Sequence, residues 1–487
     1  MRAEVGLLSS NIRIRGSDNG WQCNILVAEY TDRSANNQPV LRSGKANLSN
    51  VEVSNCGVGS SERAALRFYS SKRGSTVTNS IIKNSKHIAL EVKNSQNIVL
   101  KGNLIFNANL TGVSVESSSR IVLDKNLAIS TEAAFTISSG VSITLTYNVA
   151  AGYRQTGFGN FDCSYAKSAY NNTAHSGFVG LVVWSCNEVI SFTAYFNTGI
   201  GVLGLQGASQ VRFKDIKSVE NRLGFIANID SPASSNNTAY LSDSVFIGQT
   251  VHSKFCNSRY GVGAGSFRSQ EKLFGDRSAP VFGGEFRYLD VHFESFFSNS
   301  TCNYSQAAIV STSNSFVKPQ TFSGTTFTNV DKDALFYLAD AYAGSDLSQE
   351  KRCGDYPCSI SQNSLISTDG SLVENEIRTY FLSNNSGIVM KEGCSFSIKS
   401  GGFICIKTPL NDFDYGVLAF ESLDDDSDSR VFAPVNITSD EFILSSAGGK
   451  LFNELNSFIY TDYTGYAALS RFASLVPMSR YLNLTTK

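Results

Sequence analysis

Acidic side chains are the residues of this chain that could cleave a polysaccharide, because hydrolysis of a glycosidic bond commonly uses two carboxylates about 5 to 9.5 Å apart. Residues 77–228 contain few acids: Glu91, Glu116, Asp124, Glu132, Asp162, Glu188, Asp215 and Glu220. Glu91 and Glu116 are separated by more than one period of the repeat described below, and so are Glu188 and Asp215. We therefore expect these acids to be out of step and to form no paired-carboxylate site.

His175, in the segment TAHS, could exchange protons because histidine titrates near neutral pH. A lone histidine in a repeated turn usually has a structural role, and we expect no catalysis from it. The phrases typical of pectin hydrolases, Asn-Thr-Asp, Asp-Asp within the coils and Gly-His-Gly, do not occur. The sequence therefore predicts no catalytic residue.

Two other features could bind a ligand. The acidic run DDDSD at residues 424–428 could hold calcium, but it lacks the glycine and terminal glutamate of a calcium loop, so we expect a solvated loop. Trp184, Phe178 and Tyr195 could form a sugar-stacking platform, but we expect them in the core, where aromatic residues of such repeats usually pack. We expect no metal and no cofactor.

The elements that must position these residues recur at a regular interval. Turns fall at Asn84, Asn107, Ser130, Gly152, Ser176, Asn197 and Asn221, which are nearly equally spaced along the chain. A period of about 20 to 50 residues indicates a solenoid or propeller. Each unit holds short β segments and no helical periodicity, which argues against leucine-rich repeats and α/β layouts. The pattern predicts an all-β, right-handed parallel β-helix of about 23 residues per coil, whose turn asparagines can stack into hydrogen-bonded ladders.

The repeat weakens along the chain. We predict the β-helix over residues 1–340, with loop insertions after about residue 250, and a β-rich region at 341–487 that forms a cap or small domain.

Hydrophobic residues make up 42% of the 487 residues and charged residues 17%, which indicates a folded chain. The net charge of −1 predicts no nucleic-acid partner. No run approaches the roughly 18 apolar residues of a membrane helix, and no signal peptide begins the chain, so we expect a soluble piece of a larger protein.

Ten cysteines suggest disulfides. Cys163 and Cys186 are one coil period apart, and would be a disulfide or two buried thiols in a ladder. Cys353 with Cys358 and Cys394 with Cys405 are expected to close a tight loop and a hairpin. A disulfide between Cys256 and Cys302 is less strongly indicated, and Cys23 with Cys56 is the pairing left by elimination.

Sequons for N-glycosylation occur at Asn47, Asn109, Asn171, Asn236, Asn299, Asn303, Asn384, Asn436 and Asn483. Together with the cysteines they favour an extracellular protein. We expect glycans chiefly outside the regular coils, at Asn303, Asn384 and Asn436. A ladder asparagine such as Asn171 should be inaccessible.

Several phrases carry a family resemblance. They are AEVGLLSSNIRIRG, YNVAAGYRQTGF, NNTAHSGFVGLVVWSCNEVISFTAYFN, VFGGEFRYLDVHFESF, FTNVDKDALFYL, CGDYPCSISQNSLISTDGSLV and LAFESLDDDSDSRVFAPVNI. In this order they resemble the β-helix region of fibrocystin and the fibrocystin-like proteins. The resemblance implies a large ciliary or cell-surface protein whose other domains and membrane span lie outside this sequence.

The function expected is therefore that of a non-catalytic extracellular structural or interaction module, at the cell surface or the ciliary membrane. Its partners would be other protein chains of a surface assembly, a second copy of itself, and its own N-glycans. It would meet a membrane only through segments outside this sequence. The alternative is a carbohydrate-active β-helix, either a depolymerase of an extracellular polysaccharide, hyaluronidase-like or lyase-like, or a glycan-binding module.

Overall fold

The structure is a computed structural model. It describes residues 10–17, 23–33, 39–59, 63–162, 166–184, 188–206, 211–229, 238–250, 259–264, 285–297, 306–311, 320–331, 334–338, 364–373, 379–383, 394–397, 402–405, 415–421, 435–438, 457–460, 471–477 and 483–486. Within these ranges no helix is both long and apolar enough to cross a membrane.

Parallel β-strands wind into coils with three sheets. Apart from the hairpin strand Val40–Ser43, these strands are Ile12–Arg15, Ile25–Asp32, Asn47–Ser49, Val51–Ser54, Leu66–Tyr69, Ser75–Thr78, Ile81–Ser85, Leu90–Lys93, Gln96–Lys101, Leu104–Glu116, Ser118–Asp124, Leu127–Ile137, Gly140–Thr146, Val149–Ala151, Thr156–Asp162, Ala166–Tyr170, Thr173–His175, Val179–Trp184, Glu188–Tyr195, Ile200–Gln206, Val211–Val219, Leu223–Ile229, Thr238–Ile247, Arg259–Ala264, Glu285–Glu294, Gln306–Ser311, Gln320–Ser323, Thr326–Thr328, Phe336–Leu338 and Ser364–Ser367. Each pairs with a strand about one coil away. The predicted fold is confirmed.

Three inward columns of apolar side chains form the core. In the first sheet the column is Leu48, Val77, Leu100, Leu123, Leu145 and Ala169; in the second it is Val53, Ile82, Ile105, Ala128, Ala150, Ala174 and Ala194; in the third it is Leu66, Leu90, Val113, Phe135, Phe158, Leu181, Val202 and Phe225. Alternate residues of a strand point to opposite faces, so each strand gives one side to the core and one to the outside. The columns continue one another and form a single core along the coils.

Turn residues stack as predicted over five coils. Asn84, Asn107, Ser130, Gly152 and Ser176 fall in register and have positive φ angles of 53° to 58°. A tight corner requires this left-handed conformation, which asparagine and glycine tolerate. The last two predicted positions were wrong by one residue, because Phe196 and Glu220 take the corner instead.

Buried asparagines form a ladder of the predicted kind, but at residues other than the predicted turn positions, at the corner between the first and second sheets. The side-chain amides of Asn103, Asn126 and Asn148 each donate to the Oδ1 of the asparagine one coil on, ending at Asn172, over 2.9, 2.9 and 3.1 Å. Each amide also donates to a backbone carbonyl of the preceding coil. Full pairing allows these polar groups to be buried. Asn197 and Asn221 repeat the contact at 2.8 Å farther along.

The chain beyond Ser364–Ser367 changes to antiparallel pairing. Strands there are Thr379–Ser383, Cys394–Ser397, Gly402–Cys405, Tyr415–Glu421, Val435–Thr438, Ser457–Tyr460, Arg471–Pro477 and Asn483–Thr486, beside a 3-10 turn at Ser371–Val373. Parallel pairing of Ser364–Ser367 with Gln320–Ser323 carries the β-helix one strand past the predicted boundary at 340.

One disulfide joins Cys23 and Cys56, whose backbones also pair across adjacent coils. Cys394 and Cys405 are direct backbone partners in an antiparallel hairpin, as predicted, and their side chains lie outside the described features. Cys163, Cys186, Cys256, Cys302, Cys353 and Cys358 lie outside the described residues.

Candidate functional site on the outer face of the third sheet

The outward side chains of the third sheet change in character along the coils. One outward column runs from Leu26 through Arg67, Glu91, Ser114 and Thr136 to Gly159. After a register irregularity between Phe158 and Phe161, the same face shows Val182, Leu203 and Ile226 in register. The sheet therefore presents a charged stretch first and an apolar stretch later.

The charged stretch contains the outer polar cluster, defined as Arg67, Tyr69, His87, Glu91, Lys93 and Glu116. Arg67 Nε lies 2.7 Å from Glu91 Oε2, and Lys93 Nζ donates to Glu116 Oε2 over 2.7 Å. The Arg67 guanidinium carbon also lies 4.8 Å from the centre of the Tyr69 ring. Each carboxylate thus has a basic partner on the preceding coil.

Glu91 faces outward yet is only 8% exposed. Burial raises the pKa of its carboxyl group, and the charge of Glu116 acts in the same direction. Arg67 and Lys93 oppose this rise, as does the weaker effect of His87. A carboxyl group with a raised pKa next to a second, ion-paired carboxylate is an arrangement seen in general acid catalysis.

Glu52 provides a contrast on the outer side of the second sheet. Its carboxylate is 4% exposed and lies 3.1 Å from Lys83 Nζ and 3.5 Å from Arg13 Nε. Burial would raise the pKa of Glu52, but the hydrogen bond and charge of Lys83 outweigh burial, so the pKa is lowered. Two cations around one carboxylate make Glu52 a structural ion pair.

The apolar stretch contains the outer apolar cluster, defined as Val179, Val182, Ile200, Leu203, Leu223 and Ile226. All six are at most 4% exposed, and they form a cluster separate from the core, with Phe178 packed against it. A buried apolar surface offers no polar groups to a substrate. Among the described residues of the third sheet up to Ile226, the charged stretch is therefore the part that offers polar groups for chemistry.

Glu91 and Glu116 are out of step, as predicted. The register partner of Glu91 is Ser114, and Glu116 pairs with Lys93, so Glu116 lies diagonally across from Glu91 on the next coil. Glu188 and Asp215 also fail to align, since Glu188 pairs with Arg212 and Asp215 accepts a hydrogen bond from Ser191 over 2.5 Å.

The other acids of the coils have separate contacts. Asp124 accepts a hydrogen bond from Thr146 and pairs with Lys101, Glu132 contacts Gln155, and Glu220 accepts from the Thr250 amide over 2.7 Å. Asp162 ends its strand opposite Trp184. These acids are spread over different faces and turns and do not form a common site.

His175 is in a structural setting, as expected. Its ring stacks on Tyr195 with 4.4 Å between centroids, and its Nδ1 lies 3.0 Å from Ser176 Oγ. Tyr195 consequently faces outward, and Phe178 packs on the outer apolar cluster, so their predicted place in the core was wrong. The side chain of Trp184 and the acidic run 424–428 lie outside the described features.

Three of the sequons can be located. Asn47, Asn109 and Asn171 are exposed. Asn171 was wrongly expected to be a buried ladder residue: it occupies the left-handed corner with φ 55°, and its neighbour Asn172 is in the ladder. Asn436 and Asn483 lie in antiparallel strands whose side chains are not described, and Asn236, Asn299, Asn303 and Asn384 lie outside the described residues.

The basic residues Arg67 and Lys93 of the outer polar cluster were not predicted from the acids alone. The available signal was the spacing of opposite charges, because Arg67 and Glu91 are one coil period apart in the sequence, and so are Lys93 and Glu116. Among the described residues, no group of three or more metal-ligating side chains is found.

Comparisons with known proteins agree with this geometry. A family model of the right-handed β-helix region matches residues 40–198. Fibrocystin of Mus musculus is 29% identical over 244 residues, and fibrocystin of Canis lupus familiaris is 26% identical over 246; each match covers 47% of this chain and 6% of the relative. A crystal structure of the periplasmic alginate epimerase AlgG matches 61% of this chain and 69% of its own at 11% identity and a TM-score of 0.24, too low to support any conclusion.

Fold and comparisons together place the chain among the right-handed parallel β-helix proteins. More particularly, it contains a fibrocystin-like parallel β-helix region. The matched segments span only a small part of the fibrocystins.

Proposed function

We propose that the chain is a non-catalytic extracellular structural and interaction module of a fibrocystin-like ciliary or cell-surface protein, acting within a larger assembly. The observation that carries the proposal is the pairing of charges between successive coils. Glu91 with Arg67, Glu116 with Lys93, and Asp124 with Lys101 each bind their acid to a base one coil away. Acids paired in this way are poorly suited to protonate or attack a substrate.

The similarity to fibrocystin supports an extracellular role, and the exposed sequons at Asn47, Asn109 and Asn171 are compatible with it. The partners proposed are other chains of a surface assembly, among them further copies of this chain, together with its own N-glycans.

A second candidate, a carbohydrate-active β-helix, is favoured by one observation. Glu91, with its raised pKa, lies diagonal to the ion-paired Glu116, and such a pair can act as general acid and base on a glycosidic bond. The ion pairs with Arg67 and Lys93 argue against it, because protonation or attack would require them to break.

Incubation of the purified chain with hyaluronan and pectin separates the two candidates. The proposal predicts that both polymers keep their size on gel-filtration chromatography. Depolymerisation that disappears in both Glu91→Gln and Glu116→Gln would instead establish the enzyme.

A further inference from the structure

Two exposed tyrosines lie beside one of the located sequons. Tyr147 is 49% exposed and Tyr170 is 39% exposed, and their rings meet edge to face with 6.0 Å between centroids. The sequon begins at Asn171, the residue after Tyr170, and the Asn171 side chain is exposed. Two adjacent aromatic rings on the surface offer an apolar area that another group can cover.

Asn171 and Tyr147 occupy the same corner on successive coils. Thr146 and Tyr170 are register partners, and the residues that follow them, Tyr147 and Asn171, both have a left-handed backbone, with φ angles of 56° and 55°. Adjacent coils are about 4.8 Å apart. On the preceding coil, Lys125 Nζ lies 6.0 Å from the centre of the Tyr147 ring. The Asn171 side chain therefore leaves the surface next to this ring, from the following coil.

The amide of Asn171 is free to carry a sugar. In the described part of the chain, no hydrogen bond involves the Asn171 side chain. By contrast, Asn109 Nδ2 donates to the Lys86 carbonyl over 3.4 Å, and Asn47 Oδ1 accepts from Thr76 over 3.2 Å. Of the three located sequons, Asn171 is thus the one that a glycan modifies without displacing a contact.

We propose that Asn171 carries an N-glycan whose first sugar packs on the Tyr147 ring, beside Tyr170. This inference rests on the proposed extracellular function and specifies one modified surface. The first sugar of an N-glycan is an N-acetylglucosamine, whose pyranose ring has an apolar face that an aromatic ring can cover. Because the sugar is tethered to the next coil, the contact is intramolecular and forms at a high effective concentration.

The modification requires a co-reactant of the secretory pathway, a lipid-diphosphate-linked oligosaccharide. A bond forms between Asn171 Nδ2 and the anomeric carbon of the first sugar, and the bond from that carbon to the diphosphate oxygen breaks. The lipid diphosphate leaves with the electron pair, and the amide loses one proton. A bulky glycan at this corner keeps other protein chains away from it, so the proposed assembly must use other faces.

The test compares full-length chains produced in a secretory host. Thr173→Val removes the sequon but keeps Asn171, and a valine already stands at the equivalent position of the preceding coil, Val149. Thr173→Ser keeps the sequon and is the matched control. Mass spectrometry should find a glycan at Asn171 in the unmutated chain and in Thr173→Ser, and none in Thr173→Val.

Contact between sugar and ring is measured on the same native proteins. Hydroxyl-radical oxidation of Tyr147 should be several-fold slower in the two glycosylated chains than in Thr173→Val, whereas oxidation of Tyr69, which is 39% exposed in the third sheet, should not change. Peptide N-glycosidase should release the Asn171 glycan several-fold faster from native Tyr147→Ala than from the unmutated chain. Tyr69→Ala is the control and should leave the release rate unchanged.

Three results would overturn the inference. They are no glycan at Asn171, equal oxidation of Tyr147 with and without the glycan, and equal release from Tyr147→Ala and the unmutated chain. Thermal melts show whether each variant folds. Occupancy separates this inference from the preceding proposal: a glycan at Asn47 or Asn109 but not at Asn171 contradicts the inference alone, whereas absence from all three also counts against the extracellular function. Cleavage of a polysaccharide would contradict the non-catalytic function alone.

Discussion

The two stretches of the third sheet's outer face are built from the same kind of parallel strand, but their outward side chains differ in charge and burial. Between Arg67 and Glu116 the outward side chains are charged and paired between coils, and Tyr69 remains exposed. Between Val179 and Ile226 they are apolar and buried. The interior is apolar beneath both. A β-helix therefore sets the function of each outer stretch by its outward column alone, without changing its core.

The largest effect should come from placing a charge in the apolar stretch. Leu203→Asp buries a carboxylate at a site that is 2% exposed. We expect it to lower the free energy of unfolding by about 4 kcal/mol or more, because no cation in the outer apolar cluster can pair with it. Thr136→Asp, at a half-buried outward position of the same column whose register partners Ser114 and Gly159 are uncharged, is the control and should cost less than about 1 kcal/mol. Equal losses in urea denaturation would show that the stretches do not differ.

A loss of intermediate size should follow from breaking the asparagine ladder at the corner between the first and second sheets. Asn126→Ala removes the Oδ1 that accepts from the amide and side chain of Asn103, and the amide that donates to Leu100 and Asn148. We expect a loss of about 2 to 3 kcal/mol, because buried groups are left unpaired. Asn109→Ala is the matched control, since its contact with the Lys86 carbonyl is exposed and its backbone is not left-handed. A cost for Asn126→Ala as small as that of the control would contradict the ladder's role.

Glu52 and Glu91 should respond to pH in opposite ways. The lowered pKa of Glu52 means that its contribution to stability is present above the unfolded-state pKa and is lost as the pH falls through the folded-state pKa. The raised pKa of Glu91 means that its contribution is present below the unfolded-state pKa and is lost as the pH rises through the folded-state pKa.

At pH 7, Glu52→Gln should therefore lower the free energy of unfolding by about 1 to 3 kcal/mol. The melting temperature should fall by several degrees. Glu91→Gln should either change the free energy of unfolding by less than about 0.5 kcal/mol or raise it. Thermal melts of both variants from acid to neutral pH check this. A larger loss for Glu91→Gln at pH 7 would mean that Glu91 is a structural ion pair like Glu52.

The smallest effect on stability should come from the exposed sequons. Asn47→Gln and Asn109→Gln should leave the stability of unglycosylated protein unchanged to within about 0.5 kcal/mol, because both side chains are on the surface. In protein from a secretory host, each should remove one glycan detectable by mass spectrometry. Asn172→Gln is a useful contrast, since it alters the buried ladder and should lower the stability. Absence of glycan from Asn47, Asn109 and Asn171 alike would count against the extracellular proposal.

Features that repeat at the coil period could be predicted from the sequence. The spacing of Asn84, Asn107 and Ser130 gives the coil, and the coil fixes which side chains stack. The one-residue error at Asn197 arose because asparagine suits both the corner and the buried ladder, and only the register shows which one it occupies.

The outer faces were harder to predict. Whether an outward residue such as Leu203 or Glu91 is buried depends on what packs over the sheet, and strand periodicity carries no information about this. The pairing of Glu91 with Arg67 depends on the register between Leu66–Tyr69 and Leu90–Lys93. For the same reason, Tyr195 and Phe178 were placed in the core, although both belong to outer surfaces.

Side-chain accessibility tests the contrast between the two stretches most directly. Hydroxyl-radical footprinting of the native full chain, read by mass spectrometry, reports it residue by residue. We predict rapid oxidation of Tyr69 and Leu26 in the charged stretch and protection of Leu203 and Ile226 in the apolar stretch, with all four oxidised after unfolding in urea. Similar oxidation rates for Leu203 and Leu26 in the native protein would contradict the division of the third sheet's outer face into a partly exposed charged stretch and a buried apolar one.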